Sequence, residues 1–399
     1  MGLISNNIKY GVLFLIILCN SIFAQYFPVF NYLDEIIAII CIPIILYNTK
    51  KYKKISIVIT ILILVCSIGL IGNCIYIYQE NMLAILKDIF AFCKMGIVYA
   101  ALYYLKNKYN DDSNLKLSTA IAKIYVTIIF IFGIVSINKD IGMSHDLRNG
   151  VMSYKFLYSH PTFLVYAIVL ILVVLMANSQ SKINLFFEIE GLIVLYLSQR
   201  DKAFAFILLF ILFKFLFKFG KKIKVWQIVL GLIGMLYISY DKIIDYLNYS
   251  WSPRWALYTN GFKIMLDTFP VGSGFATFGS SLSGEYYSLI YYLYDMYGKI
   301  GVSPNDYVDL GDAQWPYYYA QFGLIGTLMF ISMLYIMFTN TRKLYKYSKI
   351  KLKASYLLIG YIIIASVVEN VFTNESGVTA IVILLLFLGR NNCEEKFNT

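Results

Sequence analysis

Long apolar blocks follow one another along most of the chain, and no other feature limits its fold as strongly. Hydrophobic residues make up 59% of the 399 residues, whereas a soluble domain contains about 45–50%. A helix that crosses a bilayer needs roughly 17–25 mostly apolar residues, and irregular backbone is not tolerated in lipid. The sequence therefore predicts an all-α polytopic membrane protein.

Apolar blocks between charged residues and turn signals predict about twelve transmembrane helices. The first block leads straight into the second and has no convincing cleavage site, so we interpret it as a retained helix and not as a signal peptide. The predicted helices are Tyr10–Ala24, Asn31–Tyr47, Ile55–Ile75, Met82–Tyr104, Leu117–Ile137, Pro161–Met176, Ile183–Leu197, Ala203–Phe217, Val225–Tyr240, Pro316–Phe338, Ser355–Val371 and Gly377–Leu388.

The basic residues predict the orientation in the membrane. With the N-terminus in the cytoplasm, most of the 34 Lys and Arg residues fall in cytoplasmic segments such as Lys50-Lys51-Tyr52-Lys53-Lys54, as the positive-inside rule requires. Both termini are then cytoplasmic, in the cytoplasmic (inner) membrane. The net charge of +11 is thus a topology signal and does not indicate nucleic-acid binding. Six scattered cysteines and two histidines predict no metal site, and no other cofactor is expected.

One long polar interval divides the chain. Residues 1–240 contain predicted helices one to nine, residues 241–315 form an extracytoplasmic loop that we interpret as catalytic, and residues 316–399 contain helices ten to twelve and a cytoplasmic tail. The loop must lie outside the bilayer because lipid does not tolerate irregular backbone. Within it, Ser252-Pro253-Arg254 is typical of a helix start. The following amphipathic segment, which includes Lys263, is predicted to lie along the outer membrane surface.

Several residues of the loop are candidates for chemistry. Arg254 can bind a phosphate bidentately beside a helix N-terminus, or it can extend to the lipid headgroups. Gly272 and Gly274 allow a close backbone approach to a ligand phosphate, or they form a plain turn. Asp312 can take a proton from an acceptor hydroxyl, or it is an acid favoured at the start of the next helix. Lys263 is a further candidate for substrate binding.

Charged residues outside the loop are candidates as well. Arg200 lies in a short outer turn, where it can bind an anion or pair with Asp201. Lys94 lies within a predicted span, where charges are costly and usually face the bundle interior. It can line a groove for lipid pyrophosphate, or it has a structural role. His160 lies at the start of the sixth predicted helix. It can act as a base near neutral pH, or it has a structural role. Glu369 is a candidate for the wall of a polar cavity.

The order of these features resembles that of the Wzy-type O-antigen and capsular polysaccharide polymerases and the related O-antigen ligases. The resemblance covers most of the chain by topology, through short motifs. Those motifs are Ser198-Gln199-Arg200, the helix led by Arg254, the turn Pro270-Val271-Gly272-Ser273-Gly274, Asp312, Gly323-Leu324-Ile325-Gly326 and Asn31-Tyr32-Leu33-Asp34-Glu35.

The resemblance implies a membrane glycosyltransferase of the GT-C class. Such an enzyme joins undecaprenyl-pyrophosphate-linked repeat units into O-antigen or capsular polysaccharide on the outer face of the cytoplasmic membrane. Arg200 and Arg254 would stabilise the departing pyrophosphate, and Asp312 would be the base. The implied partners are the lipid-linked glycan donor and acceptor, the bilayer, a chain-length regulator and a flippase. In the ligases a histidine takes the place that Asp312 has here, which favours a polymerase.

Two other functions are open. A ligase would transfer a finished glycan to another acceptor. A polysaccharide flippase or other transporter belongs to a different class of protein, and such proteins commonly have short loops and internal repeats. One dominant loop and no obvious repeat favour a glycosyltransferase.

Overall fold

The computed structural model describes residues 2–52, 56–106, 113–139, 141–148, 150–178, 183–216 and 252–389, and this part of the chain is mostly α-helical. The ninth predicted helix, Val225–Tyr240, lies outside the described residues. The α-helices are α1 Gly2–Phe23, α2 Leu33–Tyr52, α3 Ile57–Tyr76, α4 Met82–Lys106, α5 Ser113–Asn138, α6 Pro161–Ala177, α7 Ile183–Leu197, α8 Asp201–Ile211, α9 Pro253–Asp267, α10 Ser281–Glu285, α11 Ile290–Leu293, α12 Gln314–Leu344, α13 Lys349–Ala365 and α14 Glu375–Val382.

Four helical stretches are long and apolar enough to cross a membrane, judged by length and composition within the described residues. Shorter apolar helices, α6 among them, accompany these four. The class of an α-helical membrane protein is confirmed at this level, whereas the number of about twelve spans and the GT-C-like arrangement stay predictions. The four stretches are Pro28–Lys50, Ile57–Tyr76, Ser113–Asn138 and Gln314–Leu344.

Helix α6 lies at the centre of the helical body. Every residue of α6 except Thr162 and Phe163 is buried, and the helix packs against α5, α7 and α13. A helix that is apolar on all sides is stable only inside such a bundle or in lipid. Its start is fixed by the sequence, because Pro161 occupies the first turn and has no N–H to leave unpaired. Thr162 at this end therefore has a defined position.

A two-stranded hairpin separates α5 from α6 and is the departure from an all-helical fold. Strand β1, Ser144–Arg148, pairs antiparallel with β2, Val151–Tyr154. The sequence between the strands is Asn-Gly, a dipeptide that favours two-residue hairpin turns. Side chains of a strand alternate between its two faces, so Asp146 and Arg148 share one face, and both are half-buried while Leu147 is exposed.

The glycine turn of the long loop closes a break in α12. Gly323 has non-helical backbone angles (φ 61°, ψ −167°), and the break frees the carbonyls of the preceding turn. The N–H of Ser273 donates to the Ala320 carbonyl, and the N–H of Gly274 donates to the Gln321 carbonyl, each at 2.9 Å. Since buried backbone carbonyls need partners, this turn fastens the loop to the membrane-length helix.

Candidate active site

A cavity of about 780 Å³ lies where the long loop meets the ends of several helices. The N-terminal ends of four helices line it, through Thr162 of α6, Asp201 of α8, Arg254 of α9 and Ser376 of α14. Asp312, which also lines the cavity, comes immediately before the N-cap of α12. Each helix N-terminus carries a partial positive charge, although side chains cap two of them: Thr162 N–H donates to His160, and Ser376 N–H donates to Asn374. The backbone alone therefore favours an anion at this position.

Arg200 pairs with a carboxylate that is distant in sequence. Its Nη2 donates to Asp146 Oδ1 at 2.7 Å, and Arg148 Nε donates to Asp146 Oδ2 at 2.8 Å. Arg148 and Arg200 both line the cavity. The expected alternative partner was Asp201, which follows Arg200 in the first turn of α8 and lines the cavity too. The hairpin thus brings a second arginine to the one that the sequence predicted.

Arg200 is almost fully buried, at 6% exposed. Its Nε has no hydrogen-bond partner among the described residues, which is unusual because a buried unpaired donor costs about 1–3 kcal/mol. Burial, followed by the neighbouring charge of Arg148, lowers the pKa of Arg200. The guanidinium nevertheless stays charged, since arginine is not deprotonated in proteins. A buried cation with an unused donor at a cavity wall is suited to bind an anion.

Asp146 stays ionised at neutral pH. Burial acts to raise the pKa of its carboxyl, but the hydrogen bonds of Ser153, Arg148 and His145 and the charge of Arg200 outweigh this effect and hold the pKa well below its usual range. The carboxylate therefore offsets part of the positive charge of the two arginines. Ser153, on the facing strand β2, is fully buried and donates its hydroxyl to Asp146.

His160 has one ring nitrogen that accepts a hydrogen bond and one that carries a proton, so it is suited to donate and not to act as a base. It is the N-cap of α6, where Nδ1 accepts the N–H of Thr162 at 3.2 Å. Burial, and then the positive charge of Arg200, lowers the pKa of His160 to about 4. The ring is consequently neutral at pH 7, and with Nδ1 as acceptor its proton lies on Nε2. His160 lines the cavity, so its predicted place in a substrate site fits, whereas the alternative role as a base does not.

Arg254 and Asp312 form an ion pair. Arg254 Nη2 donates to Asp312 Oδ2 at 2.7 Å, and both side chains are about one-third exposed. Arg254 projects from the first turn of α9, which begins at Pro253 as predicted, although the Ser252 side chain makes no cap hydrogen bond. Both residues line the cavity. The two residues predicted to be catalytic therefore lie together.

A third charged pair completes the wall. Lys202 Nζ lies 2.5 Å from Glu369 Oε1, and both residues line the cavity. Lys202 is buried and follows Arg200 on α8, whereas Glu369 follows the end of α13. The prediction that Glu369 belongs to the wall of a polar cavity is confirmed.

The glycine turn does not form the predicted phosphate cradle. The N–H of Gly272 donates to the Thr268 carbonyl, and those of Ser273 and Gly274 are used by α12, so all three donors are occupied. Gly274 packs closely against Asn73 of α3: a Cβ at position 274 would lie 2.5 Å from the Asn73 side chain. The alternative reading, a plain turn, fits these contacts.

Two predicted substrate-binding lysines lie away from the cavity. Lys94 is buried between Asp34 and Glu35 of α2, with its Nζ 3.1 Å from Glu35 Oε1, so its charge is already balanced by carboxylates. Lys263 is exposed on α9. Neither residue is among those that line the cavity, and the structure does not bring them together with Arg200 and Arg254.

The residues that sequence reasoning missed come from the hairpin. Asp146 and Arg148 received no role, although Asn149-Gly150 was a usable hairpin signal. The strand alternation would then have put Asp146 and Arg148 on one face. The contact of Asp146 with Arg200, 54 residues further on, has no local signal, because it depends on tertiary packing.

No family model, curated protein or solved structure matches this chain. The fold and the site define an α-helical membrane protein with an anion-suited cavity at one end of its helices.

Proposed function

We propose that this protein is a membrane glycosyltransferase that polymerises oligosaccharide repeat units carried on undecaprenyl pyrophosphate. The product is O-antigen or capsular polysaccharide, made on the outer face of the cytoplasmic membrane. About twelve spans, a GT-C-like arrangement and two cytoplasmic termini belong to the proposal. The observation that carries it is the buried Arg200, which lines a cavity where four helix N-termini meet and whose Nε, itself buried, has no partner among the described residues.

The arginines of the cavity support a pyrophosphate leaving group, in a lining that also contains four carboxylates, those of Asp88, Asp201, Asp312 and Glu369. Arg148, Arg200 and Arg254 line one cavity, and a guanidinium binds phosphoryl oxygens bidentately. Hydrogen-bond donors that are positioned before the reaction stabilise developing charge strongly in a site that excludes water. The neutral His160 adds an N–H donor, and the N-terminus of α6 adds a partial positive charge.

The reaction is a substitution at the anomeric carbon of the donor. The acceptor hydroxyl oxygen forms the new bond to this carbon, while the bond from the carbon to the pyrophosphate oxygen breaks. The electron pair leaves with the lipid pyrophosphate, which the arginines stabilise. The acceptor hydroxyl gives its proton to Asp312, whose Oδ1 accepts no hydrogen bond from the described residues. Arg254 positions this carboxylate through its hydrogen bond to Oδ2.

The test is a reconstituted polymerisation assay. Purified protein in liposomes receives the lipid-linked repeat unit, and the products are separated by length on a gel. The wild type is expected to give a ladder and to release lipid pyrophosphate. Arg200→Ala and Arg254→Ala are each expected to slow the reaction about 10²–10³-fold, as the loss of one charge-stabilising donor commonly does. The control Lys139→Ala removes an exposed cation outside the cavity and is expected to behave as the wild type.

Two results would contradict the proposal. One is transfer of the lipid-linked glycan across the liposome membrane without any lengthening, which indicates a flippase. The other is an unchanged ladder in both arginine variants, which means that these residues do not stabilise a leaving group. A single transfer of a preformed polymer to a second acceptor would instead identify a ligase.

A further inference from the structure

One carboxylate holds two guanidinium groups at the wall of the cavity. Asp146 accepts from Arg148 Nε through Oδ2 and from Arg200 Nη2 through Oδ1. The other two cations of the wall each form an ion pair with a carboxylate of their own, Arg254 with Asp312 and Lys202 with Glu369. Asp146 thus bonds two guanidinium groups with one carboxylate, while the charges of Asp201 and Glu369 also act on Arg200.

The hairpin gives Asp146 a defined position. Asp146 lies on β1, opposite a strand that contributes the fully buried Ser153, and the Ser153 hydroxyl donates to the carboxylate. The N–H of Asp146 also donates to Ser153 Oγ at 3.2 Å. A carboxylate that is held by its own hairpin can in turn hold side chains from elsewhere. Arg200, which comes from the start of α8, is such a side chain.

Two guanidinium groups this close to each other repel. Asp146 offsets the repulsion and takes one N–H from each arginine. A guanidinium has five N–H donors, so most of the donors of each arginine remain for a ligand. Arg200 Nε is buried and has no partner among the described residues. The arrangement thus suits a dianionic or more highly charged ligand with two adjacent acceptor groups.

We propose that Asp146 is a positioning residue that holds Arg148 and Arg200 side by side as a site for the two phosphoryl groups of a pyrophosphate. Each guanidinium takes one phosphoryl group, so that an orthophosphate engages the pair only in part. The identification of this pyrophosphate with the leaving group of a lipid-linked glycan rests on the proposed function. The anion site itself rests on the hairpin and on Arg200.

The experiment measures anion binding to the purified full-length protein in nanodiscs. Inorganic pyrophosphate and orthophosphate are compared by their dissociation constants, and pyrophosphate is also tested as an inhibitor of chain lengthening. The wild type is expected to bind pyrophosphate at least tenfold more tightly than orthophosphate. Asp146→Asn keeps the size of the side chain but removes its charge, and we expect it to weaken pyrophosphate binding at least tenfold. The matched control Glu285→Gln removes an exposed carboxylate outside the cavity and should leave both constants unchanged.

Arg148→Gln keeps the proposal testable if Asp146→Asn fails to fold, because Arg148 is 38% exposed and its loss should be tolerated. This variant is expected to bind the two anions about equally. Wild-type pyrophosphate binding in Asp146→Asn, or a retained preference for pyrophosphate in Arg148→Gln, would overturn the proposal. Asp146-dependent pyrophosphate binding by a wild-type protein that lengthens no glycan would support the site and contradict the proposed function. Normal chain lengthening by the wild type, together with pyrophosphate binding that does not depend on Asp146, would support the proposed function and contradict the site.

Discussion

Asp312 lies beside Arg254, and this pairing determines what its carboxylate can do. The guanidinium donates to one carboxylate oxygen, Oδ2, and so holds the side chain in one position at the cavity. The side chains of Arg254 and Asp312 are each about one-third exposed, so a substrate in the cavity can reach them. The alternative reading of Asp312, as an acid at a helix start, describes the same position before α12, and the two readings do not exclude each other.

Replacing Asp312 by Asn tests its role as a base. The amide still accepts a hydrogen bond from Arg254 but takes no proton, and general-base catalysis commonly contributes 10²–10⁴-fold. We therefore expect kcat to fall about 10²–10⁴-fold with a small change in KM, measured as the initial rate of chain lengthening at several donor concentrations. Glu285→Gln is the control, since it also neutralises one carboxylate of the loop. A full kcat in Asp312→Asn would assign the proton to another acceptor.

His160 gives the protein a pH-dependent stability. Burial, with the charge of Arg200, lowers its pKa to about 4 from a usual 6.5. Between these two values the unfolded chain binds a proton that the folded chain does not bind, so stability rises with pH in this window. The contribution is complete above pH 6.5 and is lost as the pH falls towards 4. His160→Asn keeps an N-cap side chain and should lessen the fall in Tm between pH 7 and pH 5.

The measurement is the Tm of the detergent-solubilised protein across that pH range. His145→Asn is the matched control, because His145 is the other of the two histidines and its ring lies 4.7 Å from that of His160. If His145→Asn rather than His160→Asn flattens the profile, the dependence belongs to His145 and the assignment is wrong.

At the scale of elements, local signals predicted some helix ends well, but others, such as those of the predicted Ser355–Val371 against the observed Lys349–Ala365, and the long-range contacts poorly. Helix α6 begins at Pro161 and α7 covers Ile183–Leu197, as predicted, because proline and the flanking polar residues act within one turn. The hairpin was missed because its residues lie between two predicted helices and were interpreted only as an outer loop. The pairing of Asp146 with Arg200 depends on tertiary packing, which a single sequence does not encode locally.

The turn at Gly272 provides a prediction about an element. Gly272 has φ +82°, and a Cβ at this position would lie 2.3 Å from the Gly323 N–H nitrogen. Gly142 has a similar φ of +75° but has nothing within 4 Å of its Cβ position. An L-residue in the left-handed region costs about 1–2 kcal/mol, so this cost applies to both Gly142→Ala and Gly272→Ala. The steric clash adds to it only in Gly272→Ala.

We expect Gly272→Ala to lower the Tm clearly more than Gly142→Ala, as measured by thermal unfolding of the purified proteins. The binding of pyrophosphate per folded molecule should be unchanged, because the N–H groups of this turn are occupied within the protein. Equal Tm values of the two variants, together with weaker pyrophosphate binding by Gly272→Ala, would support the phosphate-binding turn that the sequence predicted.

For the whole molecule, the cavity draws on distant parts of the chain. The hairpin, the turn before α8, the long loop and the segment before α14 each contribute residues to it. The loop alone is therefore insufficient, and the helical body determines where its arginine and carboxylate lie. Helix α4 contributes as well, since its buried Asp88 accepts the Ala276 N–H at 2.7 Å and ties the loop down.

The orientation in the membrane is the prediction that concerns the whole chain. The positive-inside rule places the loop outside and the basic segment around Lys50 in the cytoplasm. In a cysteine-free background, a membrane-impermeant maleimide should label Asn305→Cys, an exposed loop position, in intact cells. Lys50→Cys, which is exposed as well, should be labelled only after permeabilisation. Labelling in the opposite order would place the cavity in the cytoplasm. A donor carried on the outer face of the membrane could not then reach Arg200, and the proposed function would fail with the topology.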